Sequence, residues 1–162
     1  MTIPKQKSGF SLTRVIAAPR EEVWEAWTTP ERLGWFFSGQ QAPEEQITVD
    51  LRVGGAWRLL MVVNPETQYV TGGIYREITP TTRLVFSWGA TDGWPKIDPD
   101  NLDEVPLTTV ELRDVPGGTE LTLTASFPDH FSDERISEWL TSGMREGWGM
   151  TLDRLVETYA TN

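Results

Sequence analysis

Cysteine is absent from this 162-residue chain. That removes disulfides, thiolate nucleophiles and cysteine-based metal sites from consideration. Histidine occurs once, as His130, so a histidine metal cluster or a Ser–His triad has at most one ring to draw on. Lysine is scarce: Lys5, Lys7 and Lys96 are the whole set, and the formal net charge is −10. Nucleic-acid binding needs clustered cations, and no such partner is expected. No apolar run approaches the ~18–20 residues that span a bilayer. The opening MTIPKQKSGF lacks the apolar core of a secretory signal. The expectation is a cytoplasmic protein with no membrane contact. Phosphate-cradling loops are missing as well: Gly54-Gly55 and Gly72-Gly73 read as turn or bulge glycines, with no lysine and helix behind them.

What the chain does contain is ordinary globular material, 38% hydrophobic and 23% charged, enough for one domain over 1–162 with a flexible start at 1–8. Phe10–Ile16 reads as a strand, and Pro19 with Glu21 and Glu22 behind it opens a helix to about Trp27. Thr29-Pro30-Glu31 repeats the device for a second short helix to Trp35 or Phe37, and Ser38–Glu45 reads as a polar loop. From Gln46 to Phe127 the period changes to two. Ile47–Leu51, Ala56–Val63, Tyr69–Ile78, Arg83–Trp88, Thr108–Asp114 and Glu120–Phe127 form a five- or six-stranded meander, with a hairpin at Val115-Pro116-Gly117-Gly118. Leu121, Leu123, Ala125 and Phe127 share one face and Thr122, Thr124 and Ser126 the other, so one side of the sheet is dry and one wet. Helices beside a run of strands define an α+β protein.

The last segment, Ser132–Thr158, reads as one long helix. Its first half presents Ile136, Trp139 and Leu140, and its second half Met144, Trp148, Leu152, Leu155 and Tyr159. Gly143, Gly147 and Gly149 interrupt it, each costing roughly 1 kcal/mol against alanine inside a helix. Three reasons could keep them: close approach to the sheet, a bend near Trp148, or space held open beneath the helix.

Polar candidates are few. His130 reads as a solvated loop residue. The run Asp98, Asp100, Asn101, Asp103, Glu104 lacks the glycine and the closing glutamate of a calcium loop. Trp94, in the irregular insertion 89–106, is a candidate lid over a cavity mouth. Arg58 and Glu77 read as an outward cross-strand pair, in preference to a buried polar anchor for a ligand, and Arg145 and Glu146 as solvent-facing.

The order of elements, with Arg14–Pro19, Glu22–Thr28, Pro30–Phe36, Asp50–Gly55, Gly73–Pro80, Arg83–Trp88, Gly117–Leu121 and Gly147-Trp148, resembles the START-like (SRPBCC) superfamily, the helix-grip fold of the major birch-pollen allergen. Within it the chain resembles the branch named for the activator of Hsp90 ATPase. The resemblance implies an antiparallel sheet wrapped around the long C-terminal helix, two short helices closing one end, and a hydrophobic cavity between sheet and helix. The residues expected to line that cavity are Trp35, Phe36, Trp57, Leu59, Met61, Tyr75, Phe86, Trp88, Leu140, Met144 and Trp148. The expected ligand is a small apolar or aromatic molecule, with no cofactor and no metal. A chaperone is the second partner class, implied by the branch name, and a cyclase- or hydrolase-type enzyme is the third reading, for which no buried ionisable group stands out. Monomer and homodimer both remain open.

Overall fold

The first strand, β1 (Gln6–Ile16), ends where Pro19 adopts the extended cap geometry from which α1 (Arg20–Thr28) starts. In this computed structural model residues 5–36, 47–64, 66–91, 93 and 95–160 are described. Helix α1 buries Val23, Trp24, Ala26 and Trp27 and leaves Glu21, Glu22 and Glu25 in water. Pro30–Phe36 follows as a tight 3-10 turn, not an α-helix. Then come β2 (Thr48–Val49), β3 (Ala56–Asn64), β4 (Thr67–Thr79), β5 (Arg83–Trp88), β6 (Leu107–Val115) and β7 (Gly118–Pro128), and the chain closes with α2 (Asp133–Leu140) and α3 (Met144–Thr158).

All strands join one antiparallel seven-stranded sheet in the order β1-β7-β6-β5-β4-β3-β2. The first strand therefore pairs with the last. Its pairing begins at Gln6↔Pro128, so Gln6–Ser8 belong to β1 and not to a loose start. The hairpin between β6 and β7 turns at Pro116-Gly117, with Gly117 at φ +89, a left-handed geometry that glycine adopts at little cost. The wet face is a hydroxyl ladder: Ser11 meets Thr124 at 3.0 Å and Thr13 meets Thr122 at 3.4 Å. Arg58 lies opposite Gly72 and Thr48, while Glu77 binds Arg83 at 3.1 Å. The expected Arg58–Glu77 pair is thus corrected: the register sets the two residues well apart along β4.

The expected single terminal helix is two helices. Thr141 caps α2 and turns its hydroxyl back to the Ser137 carbonyl, and Ser142 does the same to Trp139. Gly143 then takes φ +91 and starts α3. Gly147 is exposed, with no atom within 4 Å of where a Cβ would stand. Neither glycine is explained by close approach to the sheet, and the break falls at Gly143, one turn before Trp148. By contrast Gly72 and Gly73, read as turn or bulge glycines within the strand Tyr69–Ile78, lie inside β4, where the backbone and rings beside them leave no room for a Cβ.

The insertion between β5 and β6 packs on the outer face of the sheet. Ile97 and Val105 bury against Ile74, with Ala56 and Leu102 beside them. Arg76, extruded where the β4–β5 register slips, donates to Ser87 Oγ at 2.8 Å and lies 3.3 Å from Asp103. Trp94 lies outside the described residues, so its role as a lid stays with the sequence reading. His130 is exposed but engaged: its Nε2 is 2.8 Å from Glu104 Oε2, which Arg135 also reaches at 3.3 Å. The acidic run is thus partly spent on the protein's own cations. The bond from His130, helped by Arg135, holds the Glu104 carboxyl below its ordinary value of 4.5. A depressed folded value means stabilisation that is present above 4.5 and lost as pH falls through the lower folded value. Following the Glu104 carboxyl by NMR, we expect His130→Ala to move its midpoint upward; an unmoved midpoint would assign the shift to Arg135 alone.

Candidate functional site

The inner face of the sheet follows from register. Tyr75 pairs with Phe86, Phe86 with Thr108, Thr108 with Ala125 and Ala125 with Phe10, so these side chains form one row across five strands. A neighbouring row carries Val49, Trp57, Gly73 and Trp88. Gly73 is the gap in that row: a Cβ there would stand 2.6 Å from Phe86 Cδ2 and 2.6 Å from Trp57 Nε1. The missing side chain lets Trp57 meet Phe86 edge-on, centroids 5.2 Å apart.

Helix α3 lays Met144, Trp148, Thr151, Leu152 and Leu155 on these rows. Trp148 is the hub: its ring lies 5.4 Å from Trp88, 6.4 Å from Phe86 and 6.4 Å from Trp27 of α1. Trp139 of α2 extends the cluster to Trp88 at 6.5 Å. Of the residues expected to line a cavity, Trp57, Leu59, Tyr75, Phe86, Trp88, Met144 and Trp148 are buried in this one interior, and Leu140 is half-buried at its edge. The side chains of Trp35, Phe36 and Met61 lie outside the described residues.

Two hydroxyls in this interior stand out. Tyr75 and Thr108 are both 0% exposed, and neither Tyr75 OH nor Thr108 Oγ1 has a hydrogen-bond partner. They flank Phe86 in the same row, about 10 Å apart at the backbone by strand spacing. Buried polar groups are nearly always satisfied, and leaving one unmade costs about 1–3 kcal/mol. Burial pushes the Tyr75 phenol up, and the charge of Asp50 adds to the effect. At neutral pH it is a protonated donor and not a base.

A second polar group of side chains lies along one flank of α3. Arg154 Nη2 donates to Thr151 Oγ1 at 3.1 Å, Thr151 being 5% exposed. Arg154 is half-buried and its charge acts on the phenol of Tyr69, which packs against the core. Sequence reasoning missed Tyr69, Thr108, Thr151 and Arg154. Thr151 and Arg154 share a helical flank with Gly147 at spacings of three and four, which was the available signal; Thr108 gave none. Elsewhere, a depression of about 480 Å3 on the sheet includes Arg83, Glu111, Arg113 and Glu120, whose charges are already paired at 2.9 and 2.7 Å. It offers nothing to a ligand that it does not already use on itself.

A seven-stranded antiparallel sheet closed by helices, with a C-terminal helix across its inner face, defines the helix-grip fold of the START-like type. The family model described as activator of Hsp90 ATPase homolog 1-like protein matches residues 17–160, and the chain belongs to that family. Among solved structures, it is similar to a Rhizobium leguminosarum protein at 26% identity and TM-score 0.63, covering 96% of each chain. A Nitrosomonas europaea protein is 27% identical with TM-score 0.69, over 93% of this chain and 92% of that one. A Mycobacterium smegmatis protein, at 19% identity, shares the fold with TM-score 0.70 over 99% of both chains. No curated protein matches. Among the described residues no helix is long and apolar enough to cross a membrane.

Proposed function

We propose that this chain binds a small, largely apolar molecule between the inner face of the sheet and α3. The observation that carries the reading is the pair of unsatisfied hydroxyls, Tyr75 OH and Thr108 Oγ1, inside an interior otherwise built of aromatic and aliphatic side chains. A ligand with an acceptor between them would recover both bonds, which is how apolar sites fix orientation with few polar groups. A protonated Tyr75 is suited to donating a hydrogen bond to a bound molecule. The reading takes the protein as cytoplasmic, either monomer or homodimer. A chaperone-directed role would call for an apolar docking patch. The described outer face presents the ladder of Ser11, Thr13, Thr122 and Thr124 instead.

The test uses N-phenyl-1-naphthylamine, an uncharged aromatic probe, with native mass spectrometry of protein purified from its own host. Saturable probe fluorescence, quenching of the tryptophan cluster and a co-purifying small molecule are expected. A chaperone-sized companion with no saturable probe binding would move the case to the interaction reading. Removing the Tyr75 hydroxyl adds a second check. Tyr75→Phe is expected to raise the urea midpoint of the ligand-free protein, corresponding to about 1 kcal/mol, while weakening hydrogen-bonding ligands. A lower midpoint would mean that the hydroxyl is satisfied within the protein.

A further inference from the structure

We infer that α2 is the door through which the ligand reaches the interior, and that Glu104 of the β5–β6 insertion is the latch that holds it shut. The inference rests on the apolar-ligand reading and concerns the regulation of that same site.

The two closing helices are seated differently. Helix α3 buries Met144, Trp148, Thr151, Leu152 and Leu155, whereas none of the eight residues of α2 is fully buried. Ile136, Trp139 and Leu140 pack against the core while staying half-buried, and Trp139 lies 6.5 Å from Trp88. Lifting α2 uncovers the Trp88 end of the ring cluster and gives up little apolar contact; lifting α3 dismantles the cluster. Both ends of α2 suit such a motion. At the C-terminal end Gly143, exposed and at φ +91, breaks the helix, with no atom within 4 Å of where its Cβ would stand, the kind of position that absorbs a hinge rotation. At the N-terminal end Phe131 is pinned: it is 1% exposed, its amide donates to the Pro128 carbonyl at 2.9 Å, and its own carbonyl accepts from Lys7 Nζ at 2.8 Å. The moving piece is bounded by a fixed ring and a glycine break.

What fastens it comes from the insertion. Arg135, in the first turn of α2, sets its guanidinium 3.7 Å over the Phe131 ring and reaches the Glu104 carboxylate at 3.3 Å and the Glu104 carbonyl at 3.2 Å. His130, just before the helix, meets the same carboxylate at 2.8 Å. Glu104 stands on a firm support, because Asp103 beside it lies 3.3 Å from the buried Arg76, and Val105 packs with Ile74 and Ile97. One carboxylate thus binds both the cation inside α2 and the ring that precedes it. The pairs are exposed, and an exposed ion pair favours one state over another by about fivefold or less. Fastenings of that strength bias the door toward closure and still let it open, which a buried anchor would not.

The experiment follows α2 and α3 separately by hydrogen exchange, then times the entry of N-phenyl-1-naphthylamine by stopped-flow fluorescence. In the intact protein the amides of α2 are expected to exchange faster than those of α3. Glu104→Ala should speed exchange in α2 about twofold to tenfold and leave α3 unchanged. It should raise the association and dissociation rates of the probe by a like factor with Kd nearly constant, since the door closes over the free and the occupied interior alike. Glu104→Gln, which keeps the shape and loses the charge, should fall between. Glu120→Gln, which breaks the Arg113–Glu120 pair of β6 and β7 at 2.7 Å, should change none of these. The inference is overturned if α2 and α3 exchange together, if Glu104→Ala leaves exchange in α2 unchanged, or if it speeds that exchange without changing probe entry. Failure of the probe to bind the intact protein would strike the apolar-ligand reading and this inference with it; normal binding with unchanged entry strikes the inference alone.

Discussion

Trp148→Ala is expected to lower the melting temperature by roughly 6–20 °C, from about 3–5 kcal/mol of lost packing in a domain of this size. Trp148 is 3% exposed and meets three rings from two elements at once: Trp27 of α1, and Phe86 and Trp88 of β5. Truncating a rim residue removes one contact, but truncating this hub leaves the helix, the sheet and the short helix facing a common void. The surroundings can relax only a little, because Gly73 already brings Trp57 and Phe86 into contact beneath it. Thermal and urea denaturation check the magnitude, and near-UV circular dichroism checks that the indole couplings go with it. A loss below 1 kcal/mol would mean that the interior is loosely filled, and the ring cluster would then not be what holds α3 to the sheet.

The second large effect comes from a residue with no side chain. Gly72→Ala places a methyl group onto the Trp57 carbonyl oxygen, with Arg58 Cα 3.2 Å away. Both obstacles are backbone of the paired strand β3, so nothing can rotate aside, and overpacking of this kind costs about 1–3 kcal/mol or more. The same residue accepts the amide of Gly89 at 2.8 Å, where the insertion leaves the sheet, so displacing it disturbs that neck too. Gly147→Ala is the paired control. It sits exposed inside α3 with open space around it, and alanine is expected to stabilise the fold by roughly 0.5–1 kcal/mol. Urea midpoints of the two variants moving in opposite directions is the expected result. A harmless Gly72→Ala would show that β3 and β4 separate more easily than their register suggests.

These two glycines also mark where the sequence could be read and where it could not. Strands were legible from alternation: Arg83–Trp88 and the turn at Pro116-Gly117 came out as read, because period-two patterning and a proline–glycine turn are local signals. The buried set Val23, Ala26 and Trp27 follows an equally local signal, the spacing of three and four that puts residues on one face of a helix. The break in the terminal helix was not legible. Three glycines within seven positions look alike in one dimension, and only the backbone tells Gly143, at φ +91, from its neighbours. The polar groups of the candidate site were hidden more deeply. Thr108 sits in a strand of threonines, and its burial depends on which of two faces the register chooses. Arg154 is one arginine among many until the helix half-buries it against Thr151. Aromatic residues announced an interior, but which hydroxyls that interior would leave unanswered is a property of packing alone.

The segment between β5 and β6 has its neck tied by the Trp88 amide on the Pro106 carbonyl at 3.0 Å, and its anchors, Ile97, Val105 and Asp103, rest on the outer surface of the sheet. Extra length grafted into such a closed excursion adds little closure entropy, about 0.6 kcal/mol per doubling, and meets none of the tryptophans that organise the inner side. This makes the excursion a natural splice point for an epitope or a reporter peptide, and a place where lineages of the fold can diverge in outline while conserving their interior.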